Sequence, residues 1–181
     1  MQNGKIRLTF TSPLAAEEEQ ILKGLAEYIP EKAVMKFLKK YHLLLAKGRR
    51  VEVYLLSSSL WGLYQQIHSH RHPYFLGLFL GELNQGILQP SLHILAHLAE
   101  SVKDSVRVVT NQEGEQRFLY GHQLESQQIT QLPSNVNKMT KLLVVNEHHE
   151  GLGYGQLMTP RTGEPSIKNQ RDLGWYLRRG R

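Results

Sequence analysis

In the stretch "KLLVVNEHHEGLGYGQLMTP" three glycines stand at alternate positions, Gly151, Gly153 and Gly155, directly after an apolar run. A loop that cradles a dinucleotide needs a strand, then G-x-G-x-x-G, then a helix whose N-terminus faces the pyrophosphate. Here the third glycine comes one position early, and "YGQLMTP" reads as a second strand that ends at Pro160. A Walker loop is excluded because no Lys-Ser/Thr pair follows. Glycines between two apolar runs are expected to serve positive-φ turns and close backbone approach.

The histidines have ligand chemistry but poor company. His68, His70 and His72 alternate in "HSHRH", so an extended segment would project them to one side. No carboxylate or cysteine accompanies them, and a solvated polar loop is expected. His93 and His97 are four apart on a predicted helix without the glutamate of a metalloprotease pattern. His148 and His149, flanked by Glu147 and Glu150, read as turn residues. Glu17 to Glu19 are consecutive on a predicted helix, so they point in different directions, and acids near a helix start are favoured by its dipole. Trp61, Phe75, Phe79 and Trp175 are read as core. No catalytic residue, metal site or cofactor is expected.

The 181 residues, 40% hydrophobic, suffice to bury a core as one large domain or two small ones. No apolar run approaches the roughly 18 to 20 residues needed to span a bilayer. The start "MQNGKIRLTFTSP" lacks a signal peptide's features. With no cysteine in the chain, thiolate metal sites and disulfide frameworks are excluded and an intracellular, cytoplasmic protein is expected. The formal charge is +6, and from Arg161 onward six basic residues (Arg161, Lys168, Arg171, Arg178, Arg179, Arg181) oppose two acidic ones (Glu164, Asp172). In "SIKNQRDLGWYLRRGR" apolar and aromatic positions interleave with these cations, as on a folded strand with one charged face. A polyanion partner fits that face, because each neutralised phosphate releases counterions.

The elements that must position these residues follow two grammars. Residues 1–104 alternate strand and helix. "KIRLTF" precedes a helix opened by Ser12-Pro13 and stopped by Pro30. A second helical stretch, "EKAVMKFLKKYHLLLAKG", has an end that could equally be a strand. "RVEVYLL" leads into "SSSLWGLYQQIHSH", whose serines can cap a helix, and "PYFLGLFLGEL", the turn "NQG" and "PSLHILAHLAESV" repeat the pattern. Helices packed on a sheet, an α/β domain, are implied. From residue 105 the chain turns to short runs, "SVRVVT", "RFLYG", "KLLVVN", "YGQLMT", "SIKN" and "WYLRR", with one short helical candidate, "GHQLESQQI". Closely spaced strands indicate a small β-barrel.

The strings "EQRFLYGHQL", "KLLVVNEHHEGLGYGQLM" and "DLGWYLRRGR", in that order and spacing, resemble the C-terminal PUA domain of the Nip-seven family of large-ribosomal-subunit biogenesis factors. "VEVYLLSSSLWGLYQQI" and "LGLFLGELNQGILQPSLHILAHLAESV" are similar to that family's N-terminal α/β domain. The resemblance thus covers nearly the whole chain. The motifs Phe118 to Gly121, the glycine triplet, and Asp172-x-Gly174-x-Tyr176 together carry it, and the basic terminus looks archaeal.

The resemblance implies a non-catalytic RNA-binding protein acting in ribosome biogenesis and pre-rRNA processing, with rRNA or its precursor and assembly proteins as partners, cytoplasmic or, in a eukaryote, nucleolar. The alternative is an RNA-modifying enzyme targeted by its PUA domain, yet no methyl-donor loop or nucleophile is evident. The implied RNA-binding elements are the segment around Gly121 to Gln128, the stretch Gly151 to Gly155 with Gly153 at its centre, and terminal strands bearing Lys168, Arg171, Arg178 and Arg179, joined by Arg161. Tyr176, beside the arginines, is the candidate base contact. Where family members have small and basic residues, this chain has Glu125, Ser126, Gln127 and Gln128. The phosphate contact implied there is either missing or replaced by glutamine amides, leaving affinity to the C-terminal arginines.

Overall fold

The structure, a computed structural model, describes residues 9–68, 73, 76–134, 136, 141–158 and 163–178, without the side chains of Tyr176 and Leu177. The chain divides into two compact units, residues 1–91 and 92–181.

The first unit is a five-stranded sheet in which every neighbour pairs antiparallel in chain order: β1 (Thr9–Thr11), β2 (His42–Lys47), β3 (Val51–Leu56), β4 (Leu78–Asn84) and β5 (Ile87–Pro90). The expected strand-and-helix composition is present. Helix α1 (Ala15–Ala26) lies against β5 and against α2 (Glu31–Leu38), while α3 (Ser58–Ile67) joins β3 to β4. Alternation along the strands separates two faces. Leu44, Ala46, Tyr54 and Leu56 gather with Tyr64 of α3. The other set follows the register Val51↔Leu83↔Leu88, and Leu88 touches the small Gly24 of α1. Two-residue chemistry closes the β4–β5 hairpin, since Gln85 and Gly86 both have positive φ, as a type I′ turn requires. Strand β5 is not expected from sequence; "GILQP" is too short to read as more than the end of a turn.

Helix starts only partly match the sequence. Ser57 caps α3 by accepting the Leu60 N–H at 3.3 Å. Ser12-Pro13, in contrast, does not open α1. The N-cap is Leu14, and Glu17 satisfies its N–H at 2.8 Å while pairing with Lys47 at 3.0 Å. Both contacts favour the carboxylate, the backbone hydrogen bond most strongly, and hold the Glu17 pKa below its ordinary value.

The second unit holds the sheet β10-β9-β8-β6-β7, built from β6 (Arg107–Thr110), β7 (Ile129–Gln131), β8 (Lys141–Val145), β9 (Gly151–Met158) and β10 (Ser166–Asp172). Leu124 and Ile167 exchange backbone hydrogen bonds of 2.9 and 2.8 Å, folding the segment before β7 back onto edge strand β10. Inside lie Val108, Phe118, Leu124, Leu142, Val144, Leu152 and Ile167. Residues 92–104, read from sequence as the last part of the first domain, belong to this unit. Helix α4 (Leu92–His97) packs on β9, where the Cα of Ala96 stands 2.5 Å from the place a Gly151 side chain would occupy.

Two runs read as strands are helical. "RFLYG" is the end of α5 (Gln112–Leu119), which Asn111 caps by accepting the Gly114 N–H at 2.9 Å. A short apolar run does not by itself distinguish a strand from a buried helix segment. Gly121 N–H bonds to Phe118 C=O and His122 N–H to Arg117 C=O, and Gly121 has φ of 89°. Phe118 to Gly121 is therefore a Schellman helix end, which wants glycine at that left-handed position. The helical candidate "GHQLESQQI" contains a single 3-10 turn, Ser126–Gln128, followed by β7.

The described part of "WYLRR" forms α6 (Trp175–Arg178) because Arg178 must return to Asp172. Its guanidinium is bidentate on that carboxylate, with contacts of 2.9 and 2.8 Å, and also donates to the Leu119 carbonyl at the end of α5. In a strand, residues six apart lie about 20 Å apart, so the pair demands a turn. Gly174 provides the approach: a side chain there would collide with the Leu119 carbonyl oxygen.

The glycine triplet is not a turn. All three residues lie within β9, and none has positive φ. The turn is made by Asn146, whose side-chain oxygen accepts the N–H groups of His148 and Glu150 at 3.0 and 2.9 Å, with His149 at φ 61°. Close approach is what the glycines supply. A Gly153 side chain would collide with the Arg171 carbonyl and stand 2.8 Å from the Phe118 ring, and one on Gly155 would collide with Ile167.

Gly153→Ala is expected to destabilise by about 2 kcal/mol or more through overpacking against backbone. Gly62→Ala, in the interior of α3 with nothing near its missing side chain, should stabilise by about 0.5–1 kcal/mol. Urea denaturation of the two variants reads the opposite signs; equal effects would refute the packing role of Gly153. Arg178→Ala leaves Asp172, 3% exposed, buried without its partner, and should cost about 3 kcal/mol. Asp172→Ala leaves an Arg178 that is 32% exposed and can reach water, so its midpoint should fall less than that of Arg178→Ala.

Candidate nucleic-acid interface

Outside the core, β8, β9 and β10 align a polar row. Lys141 pairs in register with Gln156, and Gln156 with Lys168. Neighbouring strands are about 4.8 Å apart, so the two lysines flank the glutamine at roughly 10 Å between Cα atoms. The Gln170 amide donates to the Gln156 side-chain oxygen at 2.7 Å, and the irregularity between Asn169 and Arg171 brings Arg171 opposite Tyr154. Lys141, Lys168 and Arg171 are exposed, and among the described residues none is ion-paired with a carboxylate. Hydrogen-bonding amides between spaced cations can hold a phosphodiester backbone and reach base edges.

The expected site residues separate into four groups. Lys168 and Arg171 share this face. Arg178 is committed to Asp172, whose hydrogen bonds raise its pKa above the ordinary arginine value; its charge is neutralised inside the fold. It also fills the space beside Gly121, with guanidinium atoms 3.1 to 3.4 Å from where a Gly121 side chain would begin. Gly121 is thus a helix end seated on Arg178, and Gly153 is buried against Phe118 and β10. Arg161 and Arg179 lie outside the described residues, as does the Tyr176 side chain; the Tyr176 backbone belongs to α6. Lys141 is a residue that sequence reasoning missed. Its signal is the register to Lys168, which no linear pattern contains.

The region Glu125 to Gln128 serves the fold. Gln128 is buried; its amide donates to Glu113 at 2.9 Å and its oxygen accepts the Glu125 N–H at 3.0 Å. Ser126 donates to Glu164 at 2.8 Å, and Gln123 to Glu125 at 2.6 Å. The glutamine amide is already engaged by Glu113, and the three glutamates give this edge a sign opposite to that of the β8–β10 row.

The other candidate ligand sets do not converge. Among the described residues no group of three His, Asp or Glu side chains could hold a metal ion; His70 and His72 lie outside them. His93 and His97 are on α4. Trp61 stacks on His42 with ring centroids 5.0 Å apart and packs against the α3-side core, as its core reading expects; Phe75 lies outside the described residues. No helix among the described residues is long and apolar enough to cross a membrane.

Comparison with known proteins supports both units. Residues 12–92 match the family model of the NIP7/UPF0113 pre-PUA domain, and residues 106–181 match that of the UPF0113 PUA domain. A UPF0113 protein of Aeropyrum pernix is 31% identical over 169 residues, covering 93% of this chain and 91% of the relative. In fold, the chain is similar to a hypothetical protein from the hyperthermophilic archaeon Pyrococcus horikoshii OT3, with a TM-score of 0.54 and 16% identity over 93% of this chain and 99% of the other. It is likewise similar to a PUA domain from Aeropyrum pernix K1 solved with tartrate, with a TM-score of 0.55 and 14% identity over 93% and 88% of the two chains. A PUA domain suggests RNA binding. The α/β pre-PUA unit, the second unit closed by a helical C-terminal turn, and the two family matches make this chain a member of the NIP7/UPF0113 family with a C-terminal PUA domain.

Proposed function

We propose that the protein is a non-catalytic RNA-binding factor of large-ribosomal-subunit biogenesis and pre-rRNA processing, working in the cytoplasm beside other assembly proteins. The observation that carries this reading is the set of exposed cations Lys141, Lys168 and Arg171 around the half-buried Gln156 on the PUA unit, none of the three ion-paired with a carboxylate among the described residues. The two lysines and Arg171 hold successive phosphates, and the unpaired bases lie against the polar Gln156–Gln170 pair beside them. The task is positioning: the protein fixes an RNA segment while neighbouring factors act.

In a salt series, replacing Lys141, Lys168 and Arg171 together with glutamine should lower the slope of log affinity against log salt for single-stranded RNA by about 0.7 for each phosphate no longer neutralised, roughly 2 in all. Those side chains are exposed, so the denaturation midpoint should stay within the small range expected of surface substitutions. Fluorescence anisotropy of the full chain with labelled pre-rRNA fragments and unrelated RNAs gives both affinity and preference. An unchanged slope in the folded triple variant would reject this face as the RNA site.

A further inference from the structure

Helix α2 carries a second cationic surface that the PUA site leaves unexplained. Between Glu31 and Lys40 the chain has four lysines, Lys32, Lys36, Lys39 and Lys40, against one acid, a net +3 in a chain whose total is +6. Val34 and Leu38 face inward and are buried, whereas the lysines and Met35 are exposed. Residues three and four apart share a helix face, so Lys32, Met35, Lys36 and Lys39 line one open surface together with Glu31.

The other lysine and arginine contacts of this unit set a contrast. Lys23, Lys47 and Arg50 meet Glu19, Glu17 and Glu82 at 2.7, 3.0 and 3.1 Å. Among the described residues neither the α2 lysines Lys32 and Lys36 nor Lys39 and Lys40 just after the helix have an ion-pair partner. Two of these placements carry a cost: Lys32 and Lys36, four apart, repel each other, and Lys32 sits in the first turn, where the helix dipole disfavours a cation, while Lys36 in the last turn and Lys39 at the C-cap are favoured by it. An eight-residue helix has little intrinsic stability to offset such repulsion. Exposed Met35 adds a polarisable apolar spot among the ammonium groups, suited to the face of a sugar or base.

We propose that α2 is a second phosphate-binding surface for single-stranded RNA, on the pre-PUA unit and distinct from the β8–β10 row. It rests on the RNA-binding reading above. Lysine ammonium groups act as point charges with rotatable donors, so this surface supplies affinity without sequence preference. Met35 contributes contact area.

The test uses the full chain and a labelled single-stranded RNA of mixed sequence, titrated at several salt concentrations. Lys32→Gln, Lys36→Gln and Lys39→Gln are combined, glutamine being a good helix former; the Lys141, Lys168 and Arg171 variant is measured in parallel. Loss of about tenfold or more in affinity, with a salt slope lower by about 2 and an unchanged denaturation midpoint, is the expected result. If the α2 variant binds as the unmodified protein does while the PUA variant weakens, the second surface is refuted and the first reading stands. If the α2 variant alone weakens, the RNA site of the first reading falls and α2 is the binding surface. Absence of RNA binding by the unmodified protein, with α2-dependent binding to phosphatidylserine vesicles, would overturn both in favour of a membrane surface. Met35→Ala in the otherwise unchanged chain should reduce affinity without altering the salt slope; a changed slope would contradict the apolar role.

Discussion

The bidentate pair between Arg178 and Asp172 organises the C-terminal unit. Asp172 ends the last strand with its carboxylate buried, and a buried charge requires a partner. Arg178 supplies it by turning the chain through one helical turn. The same guanidinium reaches the Leu119 carbonyl, tying α6 to the end of α5. Gly174 lets the backbone pass the Leu119 carbonyl closely, and Gly121 completes the helix end next to the arginine. Two family-like strings, far apart in sequence, thus describe one cluster.

That cluster also decides which cations face outward. A basic terminus read as a uniform charged strand divides into an ion pair at 178 and the buried 172 and exposed residues at 168 and 171. The divide follows strand geometry. Ile167 faces the core, Lys168 does not, and the irregularity after Asn169 restores an outward place for Arg171. Opposite in sign, the Glu113, Glu125 and Glu164 edge stays engaged with Gln128 and Ser126. Electrostatics and packing therefore assign separate tasks to the two sides of one small unit.

The glycines of β9 connect packing with site geometry. Without side chains at 153 and 155, β10 and the Phe118 ring close onto β9, and this closeness sets the register that aligns Lys168 with Gln156 and Lys141. In the first unit Gly24 has a similar use, admitting Leu88 against α1. Both sheets depend on small residues where two layers meet.

Much of this was legible in the chain itself. Charge placement, the absence of nucleotide-loop chemistry, the Ser57 cap, the α/β composition of the first part and the family-like strings all follow from residue types at short spacing. Local sequence misread "RFLYG" and "WYLRR" as strands because short apolar runs carry no period, and what makes them helical lies elsewhere: an Asn111 cap with a Schellman end in one case, and a carboxylate six residues back in the other. It also took Gly151 to Gly155 for a turn, when the positive-φ residue is His149. Which lysines stand side by side could come only from the tertiary structure, since cross-strand register pairs residues 141, 156 and 168 through hydrogen bonds that no spacing along the chain encodes. The structure alone also decided that Arg178 is a fold residue, because a guanidinium's role depends on whether a buried carboxylate lies within its reach.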